Sequence, residues 1–287
     1  MPEIEQLTGP IAAHGEGPVW SAQWGGLRWV DTTAGDVLRF APAGADGEVE
    51  RWHVGTMVTA IRPRADGGMV MALERGFALS GDWGSAIESL GEVWSDPHTR
   101  FNDGGCDPDG NFLCGSMGDD FGPGGGTMYR LNTDRTVSTL FGDLGVSNGL
   151  AWTADGATAY FADTLASTID RFDYNSEHGL HNRRPFVHVP TEQGMPDGLT
   201  LDVDGYVWTA LWNGGAVRRY APDGRLDTVL DFPVQRVTAC TFGGADLTDL
   251  YVTSIGASPE PHEARAAGAL FRVAVGVRGL PTLPYRG

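Results

Sequence analysis

The chain has 287 residues, 41% hydrophobic and 10% aromatic, with 42 glycines and a formal net charge of −17. That acidity argues against nucleic acid and an anionic membrane surface as partners, since both need a basic face. All 20 basic residues are Arg, so lysine Schiff-base chemistry and a P-loop are excluded.

The N-terminal segment, MPEIEQLTGPIAAHGEGPVW, carries neither a basic n-region nor an apolar h-region, and no window holds 18 consecutive apolar residues. The default expectation is a cytoplasmic protein, monomeric or weakly self-associating, without a membrane partner. Cys106, Cys114 and Cys240 are too few for a disulfide framework and read as free, buried thiols.

Amphipathic helices are hard to find. Short β-branched and aromatic runs bounded by Gly, Asp, Asn and Pro fill the chain instead. In chain order the turns are Trp24-Gly25-Gly26, Asp66-Gly67-Gly68, Asp109-Gly110, Asp155-Gly156, Asp204-Gly205 and Ala245-Asp246, about 41 to 49 residues apart. Each leads into an apolar strand: LRWVD, MVMAL, NFLCGS, ATAYFAD, YVWTAL and DLYVTS. A second hairpin follows in each interval, as in VLRFAPAGADGEVERW, TMYRLNTDRTVSTL and AVRRYAPDGRLDTVL. Four strands in about 45 residues is the size of one propeller blade. The expected fold is therefore all-β: one six-bladed β-propeller with four-stranded blades spanning 1–287. A strand near Ile4 to Leu7 is expected to complete the last blade.

What precedes the turns points to chemistry. Glu16, Asn102, Asn148 and Asp197 each lie eight residues before the turn position of their repeat: Trp24, Gly110, Gly156 and Gly205. Equal phase in a propeller means equal height and radius, so these residues should converge on the central channel where the innermost strands begin. Glu16, Asn148 and Asp197 then offer two carboxylates and one carboxamide oxygen. Two buried carboxylates side by side are costly unless a cation neutralises them. An all-oxygen set favours one hard divalent ion. Ca²⁺ is the leading candidate; Mg²⁺, Mn²⁺, Zn²⁺ and Fe²⁺ are alternatives.

Other motifs carry less. Gly145-Val-Ser147-Asn-Gly149 fits G-x-S-x-G, but that elbow needs a following helix and LAWTADGATAYFAD reads as strand, turn, strand. The D-x-D-G pieces at 107–110 and 202–205 lack the downstream Glu and flanking helices of an EF-hand. Asp103 reads as a turn cap, His98 as a solvated loop residue beside a site-phase segment, and Trp208 and Trp212 as blade packing.

The segments GEGPVW (15–20), RFNDGGCDPDGNFLCGSM (100–117), SNGLAW (147–152), DYNSEHGLHNRRPFV (173–187), PDGLTLDVDGYVWTALWNGG (196–215) and TACTFGGADLTDLYVTS (238–254) together resemble the SMP-30/gluconolactonase/luciferin-regenerating enzyme family, which includes regucalcin. The resemblance implies a six-bladed propeller that hydrolyses a sugar lactone with a divalent metal. Its metal ligands fall on Glu16, Asn148 and Asp197, and its substrate contacts on Arg100 and Asn102. A further acidic contact of some members falls on Asp120, where the segment reads GSMGDDFGPGGGTMY with Asp in place of the longer Glu. On this reading Asp197 is both ligand and the base that activates water. Two alternatives stand beside it: a propeller esterase or phosphotriesterase-type hydrolase, and a non-catalytic calcium-binding propeller.

Overall fold

The computed structural model describes residues 2–40 and 48–287. The hairpin turn expected at 41–47 lies outside the described residues; its flanking strands, Asp36–Phe40 and Val49–His53, are paired as expected. Six four-stranded antiparallel sheets succeed one another. Their innermost strands are Gly15–Ser21, Val58–Pro63, Thr99–Cys106, Ser147–Trp152, Met195–Leu201 and Val237–Gly243. Inner strands of consecutive blades touch, and the sixth touches the first. This is a six-bladed β-propeller. The ring is closed by Ile4–Gln6, which pairs antiparallel with Phe271–Ala274 as the outer strand of blade 6. Among the described residues no helix is long and apolar enough to cross a membrane.

Apolar side chains fill every seam between blades. Val30 meets Ile61 between blades 1 and 2. Phe77 packs on Phe101 at a centroid distance of 4.6 Å between blades 2 and 3. Leu113 and Leu150 share the next seam, Tyr160 and Leu199 the one after. Trp208 meets Phe242 edge-on at 5.8 Å, and Trp20 stacks on Tyr251 at 5.7 Å to complete the circuit. Burial of these rings is the main favourable term holding the blades in register. All three cysteines are free and buried.

The C-terminal segment runs across one end of the channel. Gly279 N–H donates to Leu247 O of blade 6, Leu280 N–H to Leu201 O of blade 5, Tyr285 N–H to Pro63 O of blade 2 and Arg286 N–H to Gly110 O of blade 3. Tyr285 is fully buried in the Phe77–Phe101–Phe112 seam, and its hydroxyl donates to Asn132 O at 2.8 Å. Tyr285→Phe keeps the ring and deletes that bond, so it should cost about 1 kcal/mol, seen as a melting point lower by roughly 2 °C. An unchanged melting point in scanning calorimetry would show that the hydroxyl adds nothing to anchoring the strap. The site residues gather at the other end.

Candidate active site

All six inner strands break register within one residue of the same height. The shifts fall after Glu16, Val58, Phe101, Ser147, Pro196 and Val237. A bulge bends the strand and re-aims side chains. Here it brings Glu16, Thr59, Asn102, Asn148, Asp197 and Thr238 to equivalent places around the channel, in the phase expected from the turn spacing. The backbones crowd there. A Cβ on Gly149 would lie 2.2 Å from Leu199 N, and one on Gly198 would lie 2.3 Å from the Ala239 Cβ. Glycine after Asn148 and after Asp197 is therefore required for blades 4, 5 and 6 to close around the site.

Glu16, Asn148 and Asp197 are all buried, at 7%, 4% and 5% exposure. Asn148 Nδ2 donates to Thr164 Oγ1 at 2.8 Å, and Thr164 Oγ1 donates to Pro196 O at 2.8 Å. That relay fixes the amide so that Asn148 Oδ1 is buried with no hydrogen-bond partner. An orphaned buried carbonyl costs about 1–3 kcal/mol, which a bound cation would remove. Burial first, then the nearby Asp103 carboxylate, hold Glu16 near pKa 8. Burial first, then Glu16 and Asp103, push Asp197 well above its ordinary range. The pair is stable when protonated or when a cation sits between them. Among the described residues no three His, Cys, Asp or Glu side chains form a metal cage. The donor set here is two carboxylates and a carboxamide, and it fits an oxygen-preferring divalent ion.

A cavity of about 250 Å³ opens over these donors. Arg100 and Asn102 line it. Arg100 Nη1 donates to Phe101 O and Asn102 Oδ1, both at 2.9 Å, and Asn102 Nδ2 donates to Ser147 O at 2.8 Å. Asn102 thus spends much of its hydrogen-bonding capacity on holding Arg100 and tying blade 3 to blade 4. Met117, Val146, Leu165, Met195, Trp212 and Ile255 supply much of the apolar wall.

Several residues stand where the sequence alone did not put them. Asp120 is exposed, and its Oδ1 accepts the Gly122 N–H at 2.9 Å. The neighbouring Phe121, at φ 52°, faces the cavity in its stead. The Gly-rich run that follows turns the loop so that the Asp120 carboxylate is used locally. Asp103 does accept the Gly104 N–H at 2.7 Å, as a cap would, but it is also buried beside the site and its charge acts on both Glu16 and Asp197. Trp208 is packed, with Nε1 donating to Asp202 at 2.9 Å, whereas Trp212 lines the cavity. His98 is exposed and not in the wall; the histidine that is in the wall is His14. Burial, then Arg100 and Arg236, press His14 down to about 4, so it is neutral at pH 7. Ser147 is fully buried with strand on both sides of its turn, which rules out an exposed nucleophile elbow.

A propeller whose channel mouth carries two buried carboxylates, an unpartnered amide oxygen and an apolar-walled cavity defines a metal-fitting small-molecule site. Residues 14–256 match the sequence model of the SMP-30/Gluconolactonase/LRE-like region, and the chain belongs to that family. It is 38% identical over 283 residues to regucalcin of Danio rerio, covering 95% of each chain. It is 39% identical over 277 residues to pentonolactonase XacC of Haloferax volcanii, covering 93% of this chain and 92% of that one. The structure of a calcium-binding regucalcin from Agrobacterium tumefaciens superposes with a TM-score of 0.90 at 27% identity, covering 100% of this chain and 98% of the other.

Proposed function

We propose that the protein is a divalent-metal-dependent lactonase that opens a sugar lactone to the corresponding sugar acid. The observation that carries this is Asn148 Oδ1, buried and unpartnered beside two carboxylates at the floor of a ligand-sized cavity. The family and the pentonolactonase named above support the substrate class.

A divalent ion held by Glu16, Asn148 and Asp197 would polarise an ester carbonyl and neutralise the two acids; Ca²⁺ is the ion we favour. Asp197 takes a proton from the attacking water. Burial raises the proton affinity of its carboxylate, the direction a general base needs. Asp103, the residue after Asn102 of the donor ring, raises the proton affinity of Asp197 further. Among the described residues Arg100 Nε and Nη2 have no acceptor, so they can hold ring hydroxyls or the carboxylate as it forms. The apolar wall excludes bulk water from the sugar face not in contact with polar groups.

The test is a panel of aldonolactones, aryl esters and a phosphotriester, followed by acid release with metal-stripped protein and each ion added back. Lactone turnover that vanishes on chelation and returns with one ion is the expected result. Turnover of the phosphotriester but not of lactones would replace this reading with an esterase of the same fold. Activity that survives complete stripping would remove the metal from it.

A further inference from the structure

The donor ring is not the only ring at this mouth. Side chains two positions apart on a strand share a face. The residues two places before Glu16, Thr59, Asn102, Asn148, Asp197 and Thr238 are His14, Met57, Arg100, Val146, Met195 and Arg236, and all but Met57 line the cavity. The lower ring carries the carboxylates; the upper ring carries two guanidiniums and an imidazole and no acid. Arg100 belongs to blade 3 and Arg236 to blade 6, which stand opposite each other in a ring of six.

Neither arginine makes an ion pair among the described residues, although the chain as a whole carries net charge −17. Arg236 is held rigidly: its carbonyl accepts the Ile255 N–H at 3.0 Å and its Nη2 donates to Ala257 O and Ser258 O, the latter at 2.9 Å. Its Nε and Nη1 have no acceptor among the described residues. Glu263, a buried acid of the adjoining segment, accepts the Gln235 N–H at 2.6 Å and makes no ion pair with Arg236. An oriented guanidinium with uncommitted N–H groups, facing a cavity with an apolar wall, is suited to a carboxylate. A neutral sugar hydroxyl would leave its charge uncompensated.

We propose that Arg236 is a specificity residue that binds a second carboxylate at the end of the substrate remote from the reacting ester, so that the preferred substrate is the monolactone of a dicarboxylic sugar acid. Arg100, bonded to Asn102 of the donor ring, stays at the reacting end; Arg236, across the cavity, reads the far end. Hydrolysis adds one water across the ester C–O bond and releases a dicarboxylate whose two ends face the two arginines. The inference rests on the lactonase reading for its kinetic arm and on the cavity alone for its binding arm.

Glucaro-1,4-lactone and glucono-1,4-lactone share a ring and differ in a terminal carboxylate against a hydroxymethyl group. The wild type should favour the first by about tenfold or more in kcat/KM, as expected for one charge-assisted contact. Arg236→Gln should bring that ratio close to one, and Arg236→Lys should restore part of it. A general weakening of the 257–258 loop would lower both substrates together and leave the ratio in place, which would overturn the proposal, as would a wild-type preference for the neutral lactone. Calorimetric titration of glucarate and of gluconate into Ca²⁺-loaded protein separates the two readings. If neither lactone is turned over but glucarate binds tighter than gluconate and loses that margin in Arg236→Gln, the anion site stands and the lactonase reading fails. Equal binding of the two acids would sink the anion site whatever the activity.

Discussion

Asp197→Asn is expected to leave a fold that still takes up a divalent ion, yet to lose turnover on the order of 10²-fold or more, the scale of a lost general base. The side chain is buried against Glu16 and the donor ring, and the substitution is close to isosteric, so the blade geometry should survive. An amide keeps one ligating oxygen but has almost no affinity for a proton. Binding and proton transfer are thereby separated in one residue. Glu16→Gln is the contrasting variant: it also trades a carboxylate for an amide in the same ring but removes no base, so its loss should follow ion affinity and be recovered by raising the ion concentration. Occupancy measured by elemental analysis, with kcat at saturating ion, decides the matter. Turnover of ion-loaded Asp197→Asn within a few-fold of wild type would assign the activation of water to another group.

The blade repeat was legible because it is written in turns. A propeller needs a tight reversal at fixed intervals, and Asp-Gly and Gly-Gly pairs mark those reversals with little competition. The same regularity made Glu16, Asn148 and Asp197 legible, since equal distance from the turn becomes equal height in the channel. The same spacing two residues earlier marks His14 and Arg236, which also line the cavity. Asp103 was hidden: a regular strand would point it away from the residue before it, and the register break in blade 3 instead leaves both Asn102 and Asp103 outside the ladder. Asp120 and Phe121 could not be told apart in sequence. They sit where blade 3 leaves its second strand for a Gly-rich loop, and whether the acid or the ring faces inward depends on a positive φ at Phe121 that no periodicity encodes. Thr164 was missed because a threonine after a strand has no distinguishing signal; its role comes from the Pro196 carbonyl of the next blade, which turns its hydroxyl so as to accept from Asn148.

Ion-free protein should lose stability as pH rises from about 5 to about 8, and a divalent ion should reverse that slope. Glu16 ionises near 4.5 in an unfolded chain but only near 8 in the fold, because burial and the Asp103 charge disfavour its anion more than the Gly17 N–H, Arg62 and Arg100 favour it. Asp197 and Asp103 are displaced in the same direction, chiefly by burial. Between the two values the folded state binds more protons than the unfolded state. Raising the pH therefore draws the equilibrium toward unfolding. The stabilisation is fully present below about 4.5 and is lost as pH rises through about 8. A displacement of this size is worth several kcal/mol, so the ion-free melting point should fall by about 5 °C or more across that window. With Ca²⁺ present the ligands are held ionised, binding releases protons, and affinity climbs with pH, so the loaded protein gains stability where the empty one loses it. Net charge −17 also adds repulsion as pH rises, but Glu16→Gln shares nearly all of that background and lacks the titrating group. The measurement is therefore a difference: melting curves of wild type and Glu16→Gln at pH 5, 6.5 and 8, each with chelator and with Ca²⁺. A wild-type slope no steeper than that of Glu16→Gln in chelator would mean that the Glu16 carboxyl ionises in the fold as readily as it does in water, and that the acidic floor needs no cation to hold it together.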